Sequence, residues 1–228
     1  MRLPVALLIC LVFQTTPLRA DELQLSVIAQ HSINERAWPV LEAAAKRINI
    51  TVVARPMSAE RGVVEANLGQ IDGAVGRSIG VEQKFSDLVR VPEPVYHYAP
   101  TAYSYMRPDV RGGWASLRSY SLCIRRGLQL TTVRTRDMAR QQLADEASML
   151  RMLKEGGCEV AIMDRNEPAA KAAIAADPGL AQLRPPLEEM PLYVYLHKRH
   201  AALVPKLTAA LKQMRADGTL QKLSGEAD

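Results

Sequence analysis

Hydrophobic positions near the start of the chain repeat first every second residue and then at spacings of three and four. Alternating Leu23, Leu25 and Val27 predict a strand over residues 23–29. An apolar stripe at helical spacing predicts a helix over residues 35–48, with Pro39 tolerated only near its first turn. A β-branched run at residues 50–54 predicts a second strand.

The same alternation of strand and helix continues to residue 75. Ser58 is a suitable N-cap for a helix that ends at Gly69, and Val63, Val64 and Leu68 are expected on its buried side. Residues 71–75 predict a short buried strand. This βαβαβ succession is typical of a parallel sheet with helices on its faces.

Residues 89–106 break this pattern with three prolines and four tyrosines (Pro92, Pro94, Pro100, Tyr96, Tyr98, Tyr103 and Tyr105). Proline favours edge or crossing strands and tyrosine favours strands with one wet side, so we expect an extended passage out of the first unit. A second βαβαβ unit follows, with strands at 121–125 and 159–163 and helices at 146–154 and 167–176. Prolines at 185, 186 and 191 predict a second crossing, before a strand at 192–196 and a final amphipathic helix.

The first twenty residues have the pattern of a secretory signal peptide. Arg2 precedes an apolar run at residues 5–13, and a polar stretch ends in Ala20 before Asp21. A bilayer-spanning helix needs about 20 apolar residues, so this run is too short to cross a membrane. We therefore expect cleavage after Ala20 and a soluble, periplasmic mature protein.

Charge and composition exclude few partners. The formal net charge is +5 and falls to +3 when Arg2 and Arg19 leave with the signal peptide. The positive charge is spread along the chain, without the basic and aromatic pattern of a nucleic-acid interface. Weak attraction for small anions is the inference that the charge supports.

Two cysteines remain after cleavage, Cys123 and Cys158. An even pair in an oxidising compartment is compatible with a disulfide, and two buried free thiols are the alternative. No Gly-x-Ser-x-Gly elbow, phosphate loop or paired-histidine metal motif occurs, and no cofactor is expected.

Five segments in order resemble the family 3 bacterial extracellular solute-binding proteins, the amino-acid-binding group with a type II periplasmic fold. They are residues 61–76, 88–98, 122–127, 149–164 and 192–223. The resemblance implies an α/β fold of two lobes, with two parallel-rich sheets flanked by helices and joined by two crossing strands. It divides the chain into a first lobe at 21–101 and 189–228 and a second lobe at 102–188.

The resemblance also implies a function. Family members clamp a ligand between their lobes by a hinge motion. We therefore expect a monomer that captures an amino acid or another small carboxylate, for an ABC transporter permease or, alternatively, for a membrane sensor. A third reading is a dehydratase of cyclic precursors, in which Glu35, Glu60 or Asp164 would act as acid or base.

Arg77 is the leading candidate for ligand binding. It follows the strand at 71–75, and ligands of open α/β sheets bind beyond the carboxyl ends of strands. A guanidinium there would hold a carboxylate through two parallel hydrogen bonds. The alternative is a surface arginine at a strand end.

The resemblance adds further candidates. Asp164 matches the family's ammonium-binding carboxylate, or caps the helix that begins near Glu167. Lys84 matches the position of the family's carboxylate-binding arginine, although lysine lacks the bidentate fork, and solvent exposure is the favoured alternative for it. Arg126 precedes Gly127-Leu128-Gln129, where the family has Gly-Thr-Thr/Ser, which argues against ordinary amino-acid recognition.

Three further residues are expected near the same cleft. Ser58 and Arg61 open a helix that should face it, although capping alone explains Ser58. His31 ends the first strand and would line the crevice or lie in a loop.

Overall fold

The structure, a computed structural model, describes residues 22–28 and 32–226. The predicted signal peptide and His31 lie outside the described residues.

Strands and helices alternate from residue 22 to residue 77, as the hydrophobic pattern predicts. The first half contains β1 (Glu22–Ile28), α1 (Ser32–Arg47), β2 (Thr51–Met57), α2 (Ala59–Asn67), β3 (Gly73–Arg77), α3 (Val81–Lys84), β4 (Leu88–Arg90), β5 (Tyr96–Tyr98) and β6 (Pro100–Ser104). The second half contains a 3₁₀ turn (Gly113–Leu117), β7 (Leu122–Arg125), α4 (Gln129–Arg134), β8 (Arg140–Leu143), α5 (Glu146–Lys154), β9 (Val160–Asp164), α6 (Pro168–Ala176), β10 (Ala181–Gln182), β11 (Met190–His197), a 3₁₀ segment (Lys198–Leu203), α7 (Val204–Ala216) and α8 (Thr219–Ser224).

The first sheet has the strand order β2-β1-β3-β11-β4, and β5 also pairs with β11. Strands β1, β2 and β3 are parallel, whereas β11 runs antiparallel to its neighbours. Helices α1, α7 and α8 cover one face around an apolar cluster, and α2 covers the other. This sheet and its helices form the first lobe.

The second sheet has the order β10-β6-β9-β7-β8 and forms the second lobe. Strand β7 is parallel to β8 and β9, and β6 is antiparallel to β9. Helices α5 and α6 pack on one face and the first 3₁₀ turn packs on the other. The chain crosses between the sheets twice, between β5 and β6 and between β10 and β11, so the predicted two-sheet architecture with two crossings is confirmed.

Helix α2 turns a different side to the sheet from the one that we expected. Val63 is buried as predicted, but Val64 and Leu68, also predicted to be buried, are exposed, and Gly62 and Ala66 are buried instead. The reason is that Gly62 has no side chain and lies directly over β1, where a Cβ atom would be only 2.5 Å from Ser26 Oγ. Close backbone approach therefore sets the orientation of this helix.

The crossing segments were expected to form strands with one solvent-exposed side, but their tyrosines on β5 and β6 are buried. Tyr96, Tyr98 and Tyr103 are each buried to at least 98%, because β5 and β6 lie between the two lobes.

Pro39 lies in the interior of α1, since the helix begins at Ser32 rather than near residue 35. The polar edge strand β8 and the two-residue strand β10 had no hydrophobic signal in the sequence.

Cys123 and Cys158 form a disulfide, with their Cα atoms 5.8 Å apart. Cys123 lies in β7 and Cys158 just precedes the parallel strand β9, so both lie in the second lobe. Of the two alternatives left open by the sequence, the bonded one is confirmed.

Within the described ranges, no helix is both long enough and apolar enough to cross a membrane.

Candidate functional site

A cleft of about 400 Å³ lies between the two lobes. Its first wall comes from the ends of β1 and β3 and the start of α2, and its second wall comes from residues 127–133 around α4. Tyr98, Met190 and Leu192, on the strands next to the crossings, also line it. The cleft thus lies at the carboxyl ends of parallel strands, where open α/β folds bind ligands.

Arg77 is the charged side chain of this cleft and is itself almost fully buried, with 5% of its surface exposed. Its Nε and Nη2 atoms have no hydrogen-bond partner among the described residues. Burial away from water lowers the pKa of Arg77 to about 10, so the guanidinium is still charged at neutral pH. A buried cation without a counter-charge is unfavourable unless something else compensates it.

A bulge at the end of β3 directs Arg77 to the α2 side of the sheet. Arg77 lies opposite Tyr193 and Ala74 lies opposite Tyr195, so β3 has one residue more than β11 in this interval. Gly76, at φ +69°, makes the irregular turn that this extra residue requires. Without the extra residue, the alternation of side chains along β3 would place Arg77 on the same face as Val75, against α1.

We expect Gly76→Ala to lower the free energy of unfolding by about 2 kcal/mol. An alanine would have to adopt a left-handed conformation, and its Cβ would lie 2.9 Å from Ile33 Cγ2. Urea unfolding at neutral pH measures this loss. Gly112→Ala is the control, because Gly112 has a negative φ and only ordinary contacts around its Cβ position; equal losses in the two variants would contradict the bulge argument.

The N-terminus of α2 borders the same cleft through Ala59. Ser58 caps the helix by accepting a hydrogen bond from the backbone N–H of Arg61 at 3.4 Å. The Arg61 side chain is exposed and pairs with Glu65 at 2.5 Å. Ser58 and Arg61 therefore do not line the cleft, but the helix that they open directs its positive end toward it.

The second wall is mostly apolar. Leu128, Leu130 and Val133 line the cleft from around α4. Leu130 also packs against the apolar cluster of the first lobe, so the two lobes are in contact across the cleft. In the segment that stands where the family has Gly-Thr-Thr/Ser, Leu128 is apolar and Gln129 is polar without a hydroxyl group.

Asp164 lies in a separate crevice between the lobes, next to Arg36, Tyr96 and Asn166. Its Oδ1 accepts hydrogen bonds from Tyr96 Oη at 2.6 Å and from the Asn166 backbone N–H at 2.7 Å, while Oδ2 is buried and has no hydrogen-bond partner within residues 22–28 and 32–226. Arg36 closes this crevice by donating from Nη2 to the Asn166 carbonyl at 2.7 Å. The cap of α6 is Glu167, which accepts from Ala169 N–H, so Asp164 does not cap that helix.

The arrangement of two sheets around one cleft is shared with solved structures of ligand-binding proteins. The chain is similar to an ancestral arginine-binding protein bound to glutamine, at 16% identity and a TM-score of 0.63, over 90% of this chain and 96% of that one. It is similar to the GluR0 ligand-binding core in complex with L-glutamate, at 9% identity and a TM-score of 0.70, over 92% and 98%. It also resembles the Streptococcus pneumoniae amino acid ABC transporter substrate-binding protein AbpA bound to L-arginine, at 16% identity and a TM-score of 0.64, over 90% and 93%.

This is a two-lobed periplasmic binding protein fold. Identities this low establish the fold alone. No family model matches the sequence, and no curated protein sequence matches it.

Burial raises the pKa of Asp164 in this periplasmic binding protein fold, although the hydrogen bonds from Tyr96 and Asn166 act in the opposite direction. A raised folded-state pKa favours the protonated carboxyl. Its contribution to stability is therefore fully present below the unfolded-state pKa, near 3.8, and is lost as pH rises through the folded-state pKa.

We therefore expect the stability of the wild type, relative to Asp164→Asn, to fall between pH 4 and pH 7. Urea unfolding of both proteins at the two pH values measures this difference. Asp145→Asn is the control, because the hydrogen bond from the Ser148 backbone lowers the pKa of Asp145, so its contribution to stability is nearly complete at pH 4 and should change little up to pH 7. A relative stability of Asp164 that instead rises with pH would mean that its hydrogen bonds outweigh its burial.

The remaining predicted residues do not line the cleft. Lys84 is exposed on the short helix α3. Arg126 is exposed and donates to the Gln142 carbonyl at 3.3 Å. Glu35 and Glu60 are also exposed and lie outside the cleft wall. Of the candidates within the described residues, the structure places Arg77 in the cleft and Asp164 in the crevice beside it.

Several polar groups near Arg77 were not singled out from the sequence. Ser26 Oγ is buried without a hydrogen-bond partner among the described residues, and the Tyr98 side chain is also buried. Tyr98 also lines the cleft. The tyrosine-rich crossing segment could have indicated Tyr98. Ser26 alternates with apolar neighbours like any polar residue of a strand, so the sequence gives no signal for it.

Proposed function

We propose that this protein is an exported, periplasmic solute-binding protein that captures a small carboxylate-bearing molecule between its lobes. The observation that carries the proposal is Arg77, a buried guanidinium at the wall of an interlobe cleft, whose Nε and Nη2 have no hydrogen-bond partner in the part of the chain that the structure describes. A bound carboxylate would supply both the counter-charge and the missing hydrogen bonds.

A carboxylate has the geometry and charge that this site can bind. Its two oxygens match the fork of a guanidinium, and each charge-assisted hydrogen bond contributes about 1.5–3 kcal/mol. The positive end of α2, which borders the cleft at Ala59, adds to the attraction. Burial strengthens these interactions because water does not screen them.

The similar structures support a binding role. Their names state that they bind arginine, glutamine or glutamate, and one belongs to an amino acid ABC transporter. We therefore propose an ABC transporter permease as the membrane partner, with a membrane sensor as the alternative. A dehydratase is less well supported, because neither Glu35, Glu60 nor Asp164 lines the cleft.

The test is a thermal-shift screen of residues 21–228 against amino acids, small carboxylic acids and cyclic amino-acid precursors. A compound that binds only the folded protein should stabilise it by about 2.7 kcal/mol at 100 times its dissociation constant. We expect a shift with at least one carboxylate and no shift with the same compound in Arg77→Met.

Arg118→Met is the matched control, since Arg118 is exposed in the second lobe and should retain the full shift. A folded protein that shows no shift with any carboxylate would overturn the proposal. A shift that survives in Arg77→Met would place the ligand elsewhere.

A further inference from the structure

The cleft around Arg77 is lined chiefly by hydrocarbon. Ile28, Ile33 and Val81 contribute from the first lobe and Leu128, Leu130 and Val133 from the second. Met190 and Leu192 extend the apolar surface along β11, next to the crossing. Within the described part of the chain, Arg77 is the charged residue of this lining, and Ser78, Gln129 and Tyr98 supply uncharged polar groups.

No described carboxylate lines the cleft opposite Arg77. Asp164 belongs to the neighbouring crevice, which has no room for a water molecule. One oxygen of Asp164 is already engaged by Tyr96 and by the Asn166 backbone. An ammonium group in the cleft would therefore be removed from water without an anionic partner, and burying an unpaired ion costs several kcal/mol.

We infer that the ligand is a monocarboxylate with an apolar chain or ring and without an ammonium group. This inference rests on the proposed function and names its substrate class. The carboxylate pairs with Arg77, and the hydrocarbon contacts the leucine and valine side chains of the second wall. A hydroxyl or keto group on the chain is compatible with Ser78, Gln129 and Tyr98. The volume of about 400 Å³ is near the lower end for small-molecule sites.

Matched pairs of compounds test this inference. Leucine is compared with 4-methylpentanoate, and phenylalanine with 3-phenylpropionate, by calorimetry at pH 7. Each pair has the same hydrocarbon and carboxylate and differs at the ammonium group. We expect the acid of at least one pair to bind at least 100-fold more tightly than its amino acid, and this binding to be lost in Arg77→Met.

A second variant introduces the missing anion. Val133 is half-exposed at the edge of the cleft, so Val133→Glu should fold normally. We expect the preference for the acid over the amino acid to fall at least tenfold in Val133→Glu. The isosteric control Val133→Gln, which adds no charge, should retain most of it.

The outcomes separate this inference from the proposed function. Equal or tighter binding of the amino acids, lost in Arg77→Met, would overturn the ligand class and leave the solute-binding proposal intact. Binding of neither member of either pair, while a different carboxylate from the wider screen binds through Arg77, would also overturn the apolar class. Absence of any Arg77-dependent binding would overturn both.

Discussion

Replacing Arg77 by methionine should stabilise the ligand-free protein while abolishing ligand binding. The pKa of Arg77, lowered by burial from its ordinary value to about 10, corresponds to about 3 kcal/mol of destabilisation by the buried charge. For a cation with a lowered pKa, this penalty is complete below the folded-state pKa and disappears as pH rises toward the unfolded-state pKa. At neutral pH the methionine variant should therefore be more stable than the wild type by most of this amount.

Urea unfolding at pH 7 without ligand measures this gain. The exposed Arg118→Met should change the free energy of unfolding by less than about 0.5 kcal/mol. Most single substitutions of buried residues destabilise a protein, so a gain at Arg77 would be diagnostic of a residue retained for binding. A loss of stability in Arg77→Met would show instead that the guanidinium serves the fold.

Removal of the disulfide between Cys123 and Cys158 should lower the free energy of unfolding by about 4 kcal/mol. The bond closes a loop over a sequence separation of 35 residues, and without it the unfolded chain gains conformational freedom. The double variant Cys123→Ala, Cys158→Ala is preferable to serine, because both positions are buried among apolar side chains. Urea unfolding of the variant beside the wild type measures the loss.

The same measurement has an internal control. A thiol reductant should lower the stability of the wild type to that of the double variant and leave the variant unchanged. Ligand affinity should be unaffected, since neither cysteine lines the cleft. Equal stability of the oxidised wild type and the variant would contradict a stabilising disulfide in the mature protein.

Side-chain periodicity was a good guide to the order of elements and a poor guide to their orientation. The helix predicted at residues 146–154 coincides with α5, because its apolar stripe and its terminal glycines are local signals. The prediction for α2 was wrong about its buried side, since Val64 and Leu68 are as apolar as Val63 but the glycine at 62 controls the approach to the sheet.

The same reasoning predicted only part of the candidate site. Arg77 was expected near the cleft because it follows a buried strand. Nothing local indicated that a bulge at Gly76 turns Arg77 toward α2, or that no other described residue supplies a counter-charge, since both depend on β11 and on the neighbouring helix. The resemblance to amino-acid-binding proteins suggested Asp164, but Tyr96 from the crossing strand already occupies one of its oxygens.

The sequence by itself determined the first βαβαβ unit, the second unit apart from its edge strand β8, the two crossings and the position of Arg77 at a strand end. These features depend on residues that are close along the chain, so hydrophobic period and turn chemistry reveal them. Only the tertiary structure decided that Cys123 and Cys158 form a disulfide, that the second-lobe wall of the cleft is mostly apolar, and that Asp164 is separated from Arg77. Those properties depend on contacts between residues far apart in sequence, about which the pattern within one element carries no information.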